Sequence, residues 1–118
     1  MSYTVTNTSS GSTITVHGRS SLSIPYQAFA VASDGTETQT DVSSSDFYFE
    51  VHGKGIRKLL SVNPNDALGK VIELTRAEVE SLGTSASKFA LIDESNPSKP
   101  LVMWEGGILR NGYTGAPA

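Results

Sequence analysis

Residues 69–83 read GKVIELTRAEVESLG. Lys70–Leu74 alternates like a strand, with Ile72 and Leu74 on one face and Val71 on the other. Thr75 then ends the strand and caps a helix, because its hydroxyl can accept a bond from a first-turn amide. Glu78, three residues on, can reach back to the Thr75 amide and complete a capping box. Gly83 follows Leu82 and is expected to take the left-handed conformation that closes a helix. The spacing predicts one helix at about 75–82, roughly two turns and too short to stand alone. It must lean on neighbours through Ala77, Val79 and Leu82. Strand-like sequence flanks it on both sides, so the helix is expected to cross between strands at the rim of a sheet structure.

On the N-terminal side, Ile56–Val62 reads as one strand with Ile56, Leu60 and Val62 sharing a face, and Asn63-Pro64-Asn65-Asp66 is a turn. His52-Gly53-Lys54-Gly55 is a tight loop behind a strong strand, Phe47–Val51, in which Phe47, Phe49 and Val51 face one way. Thr36–Ser45 is polar and is expected to be a mobile loop, with Asp34-Gly35 turning the chain before it. Ser20–Ala32 reads as a single sheet segment whose Pro25 implies an edge or a bulge. Ser2–Thr8 and Ser12–His17 alternate, with Ile14 and Val16 on one face, and form either a hairpin or an N-terminal arm. On the C-terminal side, Lys88–Asp93 and Pro100–Arg110 flank a turn at Ser95–Ser98, and Gly106-Gly107 is expected to make a bulge.

The pattern predicts an all-β fold, an antiparallel β-sandwich or small barrel of about seven or eight strands with one short helix. The expected organisation is an N-terminal arm or hairpin over 1–19, a sandwich over 20–112 and a flexible tail over 113–118. The 118 residues suit one domain with its own core. There are no cysteines, so disulfides and thiolate metal sites are excluded. A net charge of −3 argues against a general nucleic-acid binder. No apolar run reaches membrane-spanning length, and MSYTVTNTSSG lacks the build of a signal peptide, so synthesis in a cytosol is expected.

Chemistry-bearing motifs are sparse. His17 and His52 both adjoin glycine, and their spacing fits no metal motif, so they read as exposed turn residues. HGKGIRK at 52–58 lacks the P-loop order and runs into a strand rather than a helix. It reads as a solvated basic loop, with contact to an acidic partner as the functional alternative. Asp41, Asp46, Glu50, Asp93 and Glu94 read as surface acids, since a hydrolytic pair needs a defined separation across a cleft. Most aromatics, Phe29 and Trp104 among them, are assigned to the core; Tyr26 and Tyr48 need a polar outlet and are the surface candidates. No catalytic, metal or cofactor-binding residue is expected.

The run FAVASDGTETQTDVSSSDFYFEV (29–51), the capped helix, and LVMWEGGILRNG (101–112) together resemble the small immunoglobulin-like β-sandwich domains of bacteriophage and prophage tail and baseplate proteins. The positions that carry the likeness are Leu74-Thr75, Leu82-Gly83, Asp93 and Gly107-Ile108 within 20–112; Asp41-Val42-Ser43-Ser44 matches the group's turn only loosely. The resemblance implies a non-enzymatic virion structural or tail and baseplate adaptor protein. Its partners would be other virion proteins and copies of itself, with no nucleic acid and no membrane span. The expected contact residues are Tyr26, Tyr48, Lys54, Arg57 and Lys58. A carbohydrate-binding or adhesive module is the alternative, and a small hydrolase using His17 or His52 is a third class.

Overall fold

The computed structural model describes residues 3–8, 11–17 and 21–111. The expected tail at 113–118 and the junction at 18–20 lie outside them. Among the described residues there are eleven strands and one helix: β1 Tyr3–Thr8, β2 Gly11–His17, β3 Leu22–Tyr26, β4 Ala28–Val31, β5 Glu37–Thr40, β6 Phe47–Val51, β7 Ile56–Leu59, β8 Ser61–Asn63, β9 Asp66–Leu74, α1 Arg76–Glu80, β10 Ser87–Asp93 and β11 Leu101–Asn111. A six-stranded sheet, in the order β1-β2-β11-β10-β6-β7, faces a three-stranded sheet, β3-β9-β8; β4 and β5 pair only with each other. The all-β sandwich is therefore as expected, with more strands than predicted. Every ladder is antiparallel except β2–β11, which is parallel.

One core joins the two sheets. Ile14, Val16, Phe49, Leu91 and Ile108 from the large sheet meet Leu22, Ile72 and Leu74 from the small one, all essentially inaccessible to solvent. Phe49 and Phe89 stack at 5.4 Å, and Trp104 sets its edge against Phe89 at 4.9 Å. Such ring pairs add to the burial of the rings themselves. Tyr3 and Val5 of β1 pack against the same core. The strands β1 and β2 thus form a hairpin within the sandwich rather than an arm outside it.

The helix at 76–80 has the predicted start. Glu78 N–H donates to Thr75 Oγ1 at 3.2 Å, and Thr75 N–H donates to Glu78 Oε1 at 2.9 Å. Val79 and Leu82 are buried, but Ala77 is exposed. Its end differs from expectation. Ser81 stays right-handed and its N–H bonds Ala77 and Glu78 carbonyls, while among the described glycines only Gly11, Gly35, Gly53 and Gly55 have positive φ. Gly83 instead continues the path, its carbonyl accepting from Arg110 N–H at 2.9 Å. The helix carries the chain from β9 in the small sheet to β10 in the large one.

Four further expectations are corrected. Ser20–Ala32 breaks at Gln27, because β3 stays in the small sheet as its edge while β4 leaves to pair with β5. Phe29 is consequently half exposed rather than in the core. Ile56–Val62 breaks at Leu60, which is buried and donates its N–H to Phe47 carbonyl at 2.9 Å as the chain changes sheets; Val62 is left exposed. Thr36–Ser45 is not all loop, since it contains β5 and the buried Val42. The bulge lies at Met103, where the β10–β11 register steps from Leu91↔Trp104 to Ile92↔Val102, and not at Gly106-Gly107. Those glycines serve close packing: a Cβ on Gly106 would overlap the Ser12 carbonyl oxygen outright and stand 3.0 Å from Phe89 Cε2.

Candidate functional site

The five expected contact residues do not form one site. On the outer face of the large sheet, the ladder sets Arg57 opposite Glu50 and Tyr48 beside Ile92. The Arg57 guanidinium lies 3.9 Å over the Tyr48 ring. It donates to both Glu94 oxygens, at 2.8 and 2.9 Å, and to Glu50. These bonds hold the guanidinium's pKa above its ordinary value and the Glu94 carboxyl below its own, with the Arg57–Glu94 bond the largest cause in each case. The cluster is solvent-exposed, so its worth to stability is small. Lys58 Nζ bonds Glu78 Oε1 at 2.9 Å and ties edge strand β7 to the helix. Burial pushes the Glu78 carboxyl up, and the bonds from Lys58 and Thr75 outweigh it, so the group sits below the usual range.

Tyr26 is half-buried on β3, its ring edge-on to Phe47 at 5.7 Å. Burial, with the nearby Asp93 charge, raises its pKa. Lys54 stands in the β6–β7 turn. Arg57 and Lys58, read from sequence as basic contacts, are thus already engaged by acids of their own chain. Tyr48 has one ring face occupied by the Arg57 guanidinium. His17 and His52 are both exposed, and among the described residues no group of three or more His, Cys, Asp or Glu could hold a metal ion. No described helix is long and apolar enough to cross a membrane.

Two features went unread in the sequence. The first is the β4–β5 ribbon. Its register sets Phe29 opposite Gln39 and Val31 opposite Glu37, so these four share a face. Phe29 is 50% and Val31 65% exposed. A two-stranded ribbon is marginal by itself. Its base is pinned by Asp66, whose Oδ2 accepts from Gln27 Nε2 at 2.7 Å and Gln39 Nε2 at 2.8 Å, and by Val42, which is buried in the core. Those bonds, Gln27 first, hold the Asp66 carboxyl below its ordinary pKa. The signal was Asp34-Gly35 after the small–large alternation of Ala28–Val31, weakened by the all-polar run Glu37–Thr40.

The second is a groove of about 520 Å³ beside the β6–β7 turn, bordered by Glu50, Arg57 and Lys88 and by the core residues Val51, Ile56 and Phe89, whose side chains are buried. The turn is fixed to the sheet by His52 N–H donating to Lys88 carbonyl at 2.8 Å. A third surface, the edge of β11 at Leu101–Glu105, lies beyond the reach of β2, whose ladder starts at Gly106. Leu101 and Val102 are exposed there, and the Met103 bulge interrupts the edge, a device that discourages strand addition.

Comparison of the chain with models of known families, with curated proteins and with solved structures gives no match in any of the three.

Proposed function

We propose that this chain is a non-enzymatic structural or adaptor protein of a bacteriophage virion, of the tail or baseplate kind, working through protein–protein contacts in a symmetric assembly. The observation that supports it most is the β4–β5 ribbon. It presents Phe29 and Val31 to solvent on a two-stranded element whose base is held by Asp66 and by the buried Val42. Phe29 and Val31 are neighbours on one face of the ribbon, and contiguous apolar patches at a surface mark interaction sites. The sandwich behind it is a rigid mount, and repetition of one modest contact around a symmetric particle supplies avidity.

The test is location. Antibody raised against the chain is expected to label purified particles of the phage, or induced prophage, that encodes it. A chain absent from purified particles and without affinity for any of their components overturns the reading.

A further inference from the structure

We infer that two copies of this chain pair edge to edge through β1, antiparallel about a two-fold axis, so that two six-stranded sheets continue into one. The inference goes beyond the reading above and stands on the sheet edges alone. An open edge invites pairing, and proteins blunt it with proline, charge, bulges or short strands. β3 carries Pro25, and β8 has three residues with a register shift at Val62/Asn63. β4, β5 and β7 have four residues each, and β7 includes Arg57 and Lys58. The exposed stretch of β11 has the Met103 bulge. β1 has none of these devices. It ends the large sheet, runs for six residues, YTVTNT, keeps an unbroken register with β2, and contains no proline and no charge. Among the described residues no strand pairs with its outer edge.

A second copy is the partner that fits. An uncharged strand meets its own two-fold image without setting like charges opposite each other, which destabilises cross-strand pairs. Opposite residues of an antiparallel pair share a face, so the two-fold axis passes level with one residue. Centring on Val5 sets Val5 opposite Val5; sliding to Thr6 would set Val5 opposite Asn7. The first register keeps apolar beside apolar, and Val5 has surface left to cover. Tyr3 and Val5 pack against the core yet stay only partly buried. The small sheet over that core is three strands wide against six, and β8 enters it directly from β7, at the far end of the large sheet from β1. The β1 edge therefore projects past the small sheet, and a second copy can approach it. Six residues at ~3.4 Å make a ladder of about 20 Å, too little contact for a permanent dimer, so the pairing is reversible. Each copy spends its one unguarded edge, and the isologous contact closes at two.

The chain has no cysteine, so a single introduced thiol reports one contact. Val5→Cys places it on the axis, where cross-strand Cβ atoms stand about 4.5–5.5 Å apart, at the margin of disulfide reach. Under mild oxidation this variant is expected to crosslink to twice the 12.5 kDa of one chain. Ser61→Cys, exposed on β8, is expected to stay single. Sedimentation velocity over a concentration series is expected to show a monomer–dimer equilibrium for the wild type. Thr6 is exposed, and Thr6→Lys and Thr6→Asp each bring like charges together near the axis, weakening the dimer about tenfold. Their equimolar mixture brings opposite charges together there and is expected to recover the loss. Circular dichroism and Trp104 emission establish that the variants remain folded. A strictly monomeric wild type, growth beyond two copies, equal crosslinking by Val5→Cys and Ser61→Cys, or a mixture no tighter than either variant each overturns the inference. A monomeric chain that nevertheless labels virions removes the self-contact and leaves the adaptor function standing. Dimers of a chain absent from particles do the reverse.

Discussion

Gly106→Ala is the most demanding test of the fold, because it adds one methyl group where two distant strands meet. The new Cβ would overlap the Ser12 carbonyl oxygen and lie 2.8 Å from its carbon, so backbone must move. The least response is local strain, and overpacking of this kind costs about 1–3 kcal/mol. The largest is detachment of the β1–β2 hairpin from β11. That would expose Ile14 and Val16, both at 0% accessibility, and at about 1.5–3 kcal/mol each the loss reaches about 3–6 kcal/mol. We expect a value between these limits, about 2–4 kcal/mol. Urea unfolding followed by Trp104 fluorescence measures it, and the probe is well placed, since Trp104 Nε1 donates to Ser12 Oγ at 2.9 Å. Gly107→Ala is the control: its nearest new neighbour is the Ala86 Cβ at 3.1 Å, on an exposed stretch outside any strand that need shift by only a few tenths of an ångström. That change should cost less than about 1 kcal/mol. A Gly106→Ala protein with unchanged midpoint and emission would falsify the parallel β2–β11 pairing.

Thr75→Ala removes the capping hydroxyl and is expected to cost about 1 kcal/mol, read as a lowered thermal midpoint. Phe49→Ala empties the stack with Phe89 and should cost about 3–5 kcal/mol by chemical denaturation; a loss under about 1 kcal/mol would place Phe49 outside the core. Asp66 has its pKa lowered by folding, so its contribution is present above the unfolded carboxylate value of about 3.9 and disappears as pH falls through the lower, folded value. The Gln27 and Gln39 side-chain amide resonances should therefore titrate with a midpoint below ~3.9. In Asp66→Asn that titration should vanish, and its persistence would mean that another acid holds the ribbon.

Local chemistry was legible and long-range choice was not. The capping box at Thr75 and Glu78 and the alternation of Phe47, Phe49 and Val51 were readable because each is decided by neighbours a few residues apart. The breaks at Gln27 and Leu60 were missed: alternation runs through the first, and at the second the lapse at Lys58 reads equally as an irregularity within one strand; the sheet changes because Leu60 bonds Phe47 and β4 finds only β5. Gly106 read as a bulge because sequence could not show Ser12 arriving beside it. The site suffered in the same way. Arg57 and Lys58 looked like free cations until Glu50, Glu94 and Glu78 were brought to them from elsewhere in the chain. The apolar pair on the ribbon was missed because Glu37–Thr40 is too polar to announce a strand.

The parallel ladder between β2 and β11 also sets a timetable. Ser12 and Trp104 are 92 residues apart, and closing so long a loop is slow relative to forming the hairpins between them. The N-terminal hairpin emerges early from the ribosome with its docking strand still unmade. Until β11 is synthesised, Ile14 and Val16 have no finished core to enter, and the edge of β2 is open to other chains. Crowded synthesis of many copies is therefore the moment of greatest risk for mispairing. A chain truncated before residue 101 should retain local hairpins while failing to acquire the cooperative unfolding of the whole sandwich.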